Sequence, residues 1–219
     1  SRSKTLPIVI GLLMHQGLLN YTNNVPQSIR SEWVKIEGRF QSLQYVDDSK
    51  EIHQLISEVI THQKQPIQIK PKELKDLTDK AFKLKLFKDF RKGELKALIE
   101  SSYPIHPVTL YLLPRISARV AQNERTLFSF IYSRDLTKMI YPHELYDYFS
   151  NDMRVDTSTG GTYKQWLETQ SALSKIDENE TSEITLKTTC LLGLGTAGER
   201  SKAGRDLLLY SLHGIDKDK

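Results

Sequence analysis

Two arginines stand where an anion could be held. Arg39 closes the block EWVKIEGRF (Glu32–Phe40), just ahead of a run that reads as a strand, and Arg125 follows Asn123-Glu124 at the start of the apolar run TLFSFI. The second position is the mouth of a predicted helix. A guanidinium is planar, permanently charged and matched to phosphate oxygens. The free N–H groups of a helix N-terminus add further donors for the same anion. His15-Gln16 supply polar groups at the carboxyl end of a predicted strand, where ligands of open α/β sheets gather. The competing readings are structural. Arg39 and Arg125 could each serve a surface ion pair, Arg115 and Arg119 a solvated helix face, and His15 a satisfied, partly buried position.

Other constellations carry less. Gly193-Leu-Gly-Thr-Ala-Gly198 matches GxGxxG, with Asp216 at about the distance of a ribose-binding acid. The residues before it read as a helix, however, and no strand–helix–strand unit follows. A glycine-rich turn between helices is the plainer reading. The six histidines do not cluster, and His143-Glu144 lacks the second histidine of HExxH. His106, between Ile105 and Pro107, suits a capping or turn role better than a metal. Cys190, the only cysteine, allows no disulfide within the chain. Its apolar surroundings, TTCLLGL, predict a buried, inert thiol, and a reducing, cytoplasmic setting is the simplest expectation.

The elements that must position these groups follow from the apolar pattern. Leu6–Met14 (LPIVIGLLM) is continuously apolar, as in a strand covered on both faces or a buried helix. It is too short to span a membrane. The abrupt start at Ser1 suggests a piece of something longer. A helix is predicted from Pro26 and Ser28 to Glu37, stopped by Gly38, then a strand over Phe40–Val46. Asp47-Asp48-Ser49 caps a helix over Lys50–Gln63, with Ile52, Leu55, Ile56, Val59 and Ile60 at helical spacing. Leu74, Leu77, Ala81, Leu84 and Phe87 mark the next apolar face, with Gly93 as an interruption. Helices are expected at Pro107–Ala121, Glu124–Ser133, His143–Ser150, Tyr163–Lys175, Thr185–Leu192 and Leu207–Leu212. Asp177–Glu183 reads as an acidic linker. Strand, helix, strand, then helices alone describes a mainly α chain with a small α/β remnant.

With 31 Lys and Arg against 27 Asp and Glu, the net charge of +4 permits a nucleic-acid partner without demanding one. The excess is concentrated at Lys70–Lys96, where ten basic residues face five acidic ones. Lys70, Lys72, Lys75, Lys80 and Lys83 could track a phosphate backbone, or simply form a solvated mixed-charge face. Phe82, Phe87 and Phe90 interleave with the lysines at a spacing that suits core packing as well as base stacking.

The blocks LPIVIGLLMHQ, SEWVKIEGRFQSLQYV and YPIHPVTLYLLPRISARVAQNERTLFSFI, in this order, resemble the later half of large prokaryotic P-loop ATPases of AAA+/STAND type, several of which accompany bacteriophage-defence systems. The resemblance covers roughly residues 6–133 and extends more faintly through LYDYF and the helices after Thr157. It implies a partial ATPase core over residues 1–46, a helical lid over 47–135 and a helical or winged-helix-like region over 136–219. It also implies roles. His15 or Gln16 would take the polar sensor position, where the family more usually has Asn, Ser or Thr. Arg39 would be the arginine finger offered to a neighbouring subunit, and Arg125 the second sensor arginine of the lid. ATP and Mg²⁺ would be the parent's cofactors, with a homo-oligomer as the working state. The sequence contains no GxxxxGK[ST] loop and no apolar strand ending in paired acids. The resemblance therefore implies no hydrolysis by these residues alone.

Overall fold

The computed structural model describes residues 11, 26–37, 39, 49–63, 67–121, 124–156, 162–176, 179–196 and 204–215, with side chains at all of these except 37, 49, 121, 124 and 125. The described residues form ten α-helices and one π-helical turn, with no strand among them. The chain divides into two compact units, 1–46 and 47–219. The strands expected over Leu6–Met14 and Phe40–Val46, together with His15, Gln16 and Gly38, lie outside the described residues.

In the first unit α1 spans Gln27–Glu37, as Pro26 and Ser28 predict. The carbonyl of Pro26 accepts the N–H groups of both Ile29 and Arg30 at 3.0 Å, which starts the helix.

The second unit is an all-helical body around one apolar core. α2 (Ser49–Gln63) buries Ile56 and Ile60. α3 (Pro71–Lys83) buries Leu74, Leu77, Thr78 and Ala81, and α4 (Lys92–Ser101) buries Leu95, Leu98 and Ile99. The break between α3 and α4 falls at residues 84–91 and not at Gly93, which lies inside the first turn of α4. It is a complete Schellman stop. Leu86 N–H donates to the Ala81 carbonyl at 3.3 Å and Lys85 N–H to the Phe82 carbonyl at 3.1 Å, with Lys85 at φ 52°. Leu86, Phe87 and Phe90 then tuck into the core from outside any helix.

α5 (Pro107–Ile116) is the axis of this body. Its Val108, Leu110, Tyr111, Leu112, Leu113 and Ile116 are all buried, the pattern of a helix apolar on every side. It packs against α2, α3, α7, α9 and α10. A one-residue parallel bridge, Ile105 to Ile140, fixes its approach. Ile140 N–H donates to the Pro104 carbonyl (3.0 Å), and the Ile140 carbonyl accepts His106 N–H (3.1 Å) and the Thr109 hydroxyl (2.9 Å). The remaining helices are α6 (Glu124–Tyr132), α7 (Pro142–Val155), α8 (Tyr163–Leu173), α9 (Glu180–Gly195) and α10 (Arg205–Ser211).

α9 differs from expectation at both ends. It starts inside the predicted acidic linker, because Asn179 Oδ1 accepts the N–H groups of Thr181 (3.0 Å) and Ser182 (3.2 Å) and so caps a helix there. Acidic side chains in the first turn then favour the dipole. At the other end Gly193 and Gly195 are helical, and the helix stops only at Thr196. Gly195 is a close approach, since a Cβ there would overlap Leu112 Cδ2 on α5. Cys190 is half-buried, not fully enclosed. Burial pushes its thiol pKa up, which keeps it protonated and unreactive.

Candidate functional site

The segment Tyr103–Tyr132 is built to end one helix and begin another. His106 caps α5, accepting the Val108 N–H on Nδ1 at 3.1 Å, and Pro107 takes the first helical position, where no N–H is needed. Pro114, inside the helix, has no N–H for the Leu110 carbonyl. One residue after α5 ends, the chain loosens into a π-helical turn, Ser117–Ala121, a geometry often found near functional positions. α6 then opens at Glu124, with Arg125 as its second residue.

Arg115 and Arg119, whose side chains are described, are both engaged by the protein. Arg115 lies over the Tyr111 ring, its guanidinium carbon 4.1 Å from the centroid. Arg119 Nη1 donates to the Leu194 carbonyl at 3.1 Å, placing a cation at the C-terminal end of α9, where the dipole favours it. Arg125 stands in the first turn of α6, where the leading N–H groups have no intrahelical acceptor. Arg39 belongs to the other unit. It is exposed in a turn, with its N–H donating to the Ile36 carbonyl at 3.0 Å.

The lysines separate into two kinds. Lys70, the residue before α3, and Lys72, Lys75 and Lys83 on it are exposed. Lys80 is half-buried in a cluster that sequence reasoning missed. Its Nζ lies 2.9 Å from Asp76 Oδ2 and 3.2 Å from His213 Nε2, and His213 Nε2 lies 2.8 Å from the same Asp76 oxygen. The Lys80 hydrogen bond is the main cause holding the Asp76 pKa below its usual value. Only the Asp76–Lys80 half, four residues apart, carries a signal in the sequence. His213 arrives from 133 residues further on.

Behind this cluster the His106 ring is fully buried, between Tyr141 (centroids 5.6 Å apart) and Tyr210 (5.0 Å). Burial first, and then the charges of His213 and Lys80, lower the His106 pKa to about 3. The imidazole is therefore neutral, with Nδ1 committed to the cap.

No family model matches this chain, and neither a curated protein nor a solved structure does. Among the described residues no helix is long and apolar enough to cross a membrane, and no group of three or more His, Cys, Asp or Glu is arranged to hold a metal ion.

Proposed function

We propose that this chain is the nucleotide-sensing lid and C-terminal helical part of a P-loop ATPase, with Arg125 as the lid's phosphate contact and Arg39 as a finger offered to a neighbouring subunit. The observation that carries the reading is the start of α6. Arg125 is the second residue of a helix that opens three positions after a π-helical turn ends, and the first turn of a helix carries N–H groups without intrahelical acceptors that can meet an anion.

His15 or Gln16 takes the polar sensor position in this reading, and residues 1–46 are the end of the ATPase core. The stretch 136–219 is the helical or winged-helix-like region that follows the lid. Among the described residues no group of three or more His, Cys, Asp or Glu is arranged to hold a metal ion, and the sequence has no phosphate-binding loop. The Mg²⁺ site and the loop are assigned to upstream parts of the parent, so no hydrolytic step is derived from this chain. Its own residues would sense the γ-phosphate and pass that information into the helical body.

The test is Arg125→Ala in the chain extended upstream through its P-loop. Weaker ATP binding and slower turnover are expected, whereas unchanged affinity and turnover remove the role. Arg39→Ala should lower turnover more than nucleotide binding, because a finger acts on charge that develops in the transition state.

A further inference from the structure

We propose that the connection between α3 and α4 is a contact surface for single-stranded nucleic acid, with Phe82 as the platform for a base and Lys83, Lys85 and Arg91 as phosphate contacts. This goes beyond nucleotide sensing and uses none of the residues assigned to it.

The first observation is Phe82. Phe87 and Phe90 are buried, but Phe82 is 45% exposed at the end of α3. A lysine stands over one face of this ring. Lys92 Nζ sits 6.0 Å from the ring centroid and is held there by Asp79 Oδ1 at 2.7 Å. An exposed ring beside a fixed cation is the combination that single-strand binders use. The base stacks on the ring, and the adjacent charge meets the backbone.

The second observation is Lys85. It occupies the left-handed position of the Schellman stop, at φ 52°, where glycine fits without strain. Backbone strain at a non-glycine residue is a reason to ask what the side chain does there. The exposed Lys85 puts a cation at the tip of the turn, one turn of chain from Phe82.

The third observation is the sign of the surroundings. Residues 82–92 contain Lys83, Lys85, Lys88, Arg91 and Lys92 against Asp89 alone, all of them exposed. Lys80, Lys50 and Lys92 do not count towards this charge, because Asp76, Glu94 and Asp79 hold them. The surface complements a polyanion. The open Phe82 ring selects a single strand, since the bases of a duplex keep their faces stacked on one another.

The test is fluorescence anisotropy of a labelled 20-nucleotide oligothymidylate titrated with the 219-residue chain at several salt concentrations. Binding should weaken with salt at a slope of roughly −0.7 per phosphate contacted. Phe82→Leu should reduce affinity at least about fivefold, in line with the loss of one stacked base. Lys85→Gly should reduce both the affinity and the salt slope while raising the melting temperature, so that its effect cannot come from unfolding. Wild-type binding by both variants overturns the proposal. So does equal affinity for a duplex with no dependence on Phe82, which would leave charge alone. Absence of binding at low salt overturns it as well. Binding to phosphatidylserine vesicles, but not to the oligonucleotide, would assign the patch to a membrane surface.

Discussion

The Tyr210 hydroxyl donates a 2.7 Å hydrogen bond to the backbone carbonyl of Leu77. The last helix, α10, is thereby fastened to α3 across 133 residues of sequence, in an interior where burial keeps the phenol protonated. Tyr210→Phe retains the ring and deletes only this bond. Stability to urea should fall by about 1 kcal/mol. The transition midpoint should move with no change in its slope, because the surface exposed on unfolding is the same.

His106 makes the fold sensitive to acid. In the unfolded chain its imidazole takes up a proton below about 6.5, and in the folded chain only near 3. The unfolded state thus binds more protons throughout that interval, and stability is lost as pH falls through it. At pH 5 the loss attributable to this group is about 2 kcal/mol relative to pH 7. His106→Asn keeps an oxygen for the Val108 N–H but cannot titrate. Urea unfolding of the two proteins at pH 7 and pH 5 should show the variant losing less. Equal losses would contradict the assignment.

Gly195 is where α9 comes nearest to α5. In an open helix Gly→Ala gains about 1 kcal/mol. Here the new methyl would overlap Leu112 Cδ2, and Leu112 is fully buried. Overpacking of this kind costs roughly 1–3 kcal/mol. Gly195→Ala should therefore lower the melting temperature, while Gly193→Ala, with open space around it, should not.

Lys85→Gly runs the opposite way. The left-handed conformation costs a non-glycine residue roughly 1–2 kcal/mol. Glycine's greater freedom in the unfolded chain offsets about half of that. A net gain of about 0.5–1 kcal/mol is expected in chemical denaturation.

Helices with one apolar face were the most legible part of the fold. Ile56 and Ile60 on α2, and Leu74, Leu77 and Ala81 on α3, are buried as their spacing predicts, with Ile52 and Val59 partly buried against them, whereas Leu55 is exposed. The cap by His106 was also readable, because a polar residue before Pro107 has few other roles. The stop after α3 was not readable, since its left-handed position carries lysine where the usual signal is glycine. Asn179 was hidden in a run of acids that suits a helix start as well as a linker. The Asp76–Lys80–His213 cluster depends on tertiary packing between distant segments, which local patterning does not encode. Arg125 was placed at a helix mouth from its sequence context, and α6 begins there. The meaning of that placement comes from chemistry and not from the helix itself.

α5 passes through the middle of residues 47–219 with almost no face left in water. Its grip is interrupted at one end, where Pro114 leaves the Leu110 carbonyl without its helical partner and the π-helical turn begins. A change at α5 therefore meets α2, α3, α7, α9 and α10 at once, so a single substitution on it is felt by half of the helices that the described residues form.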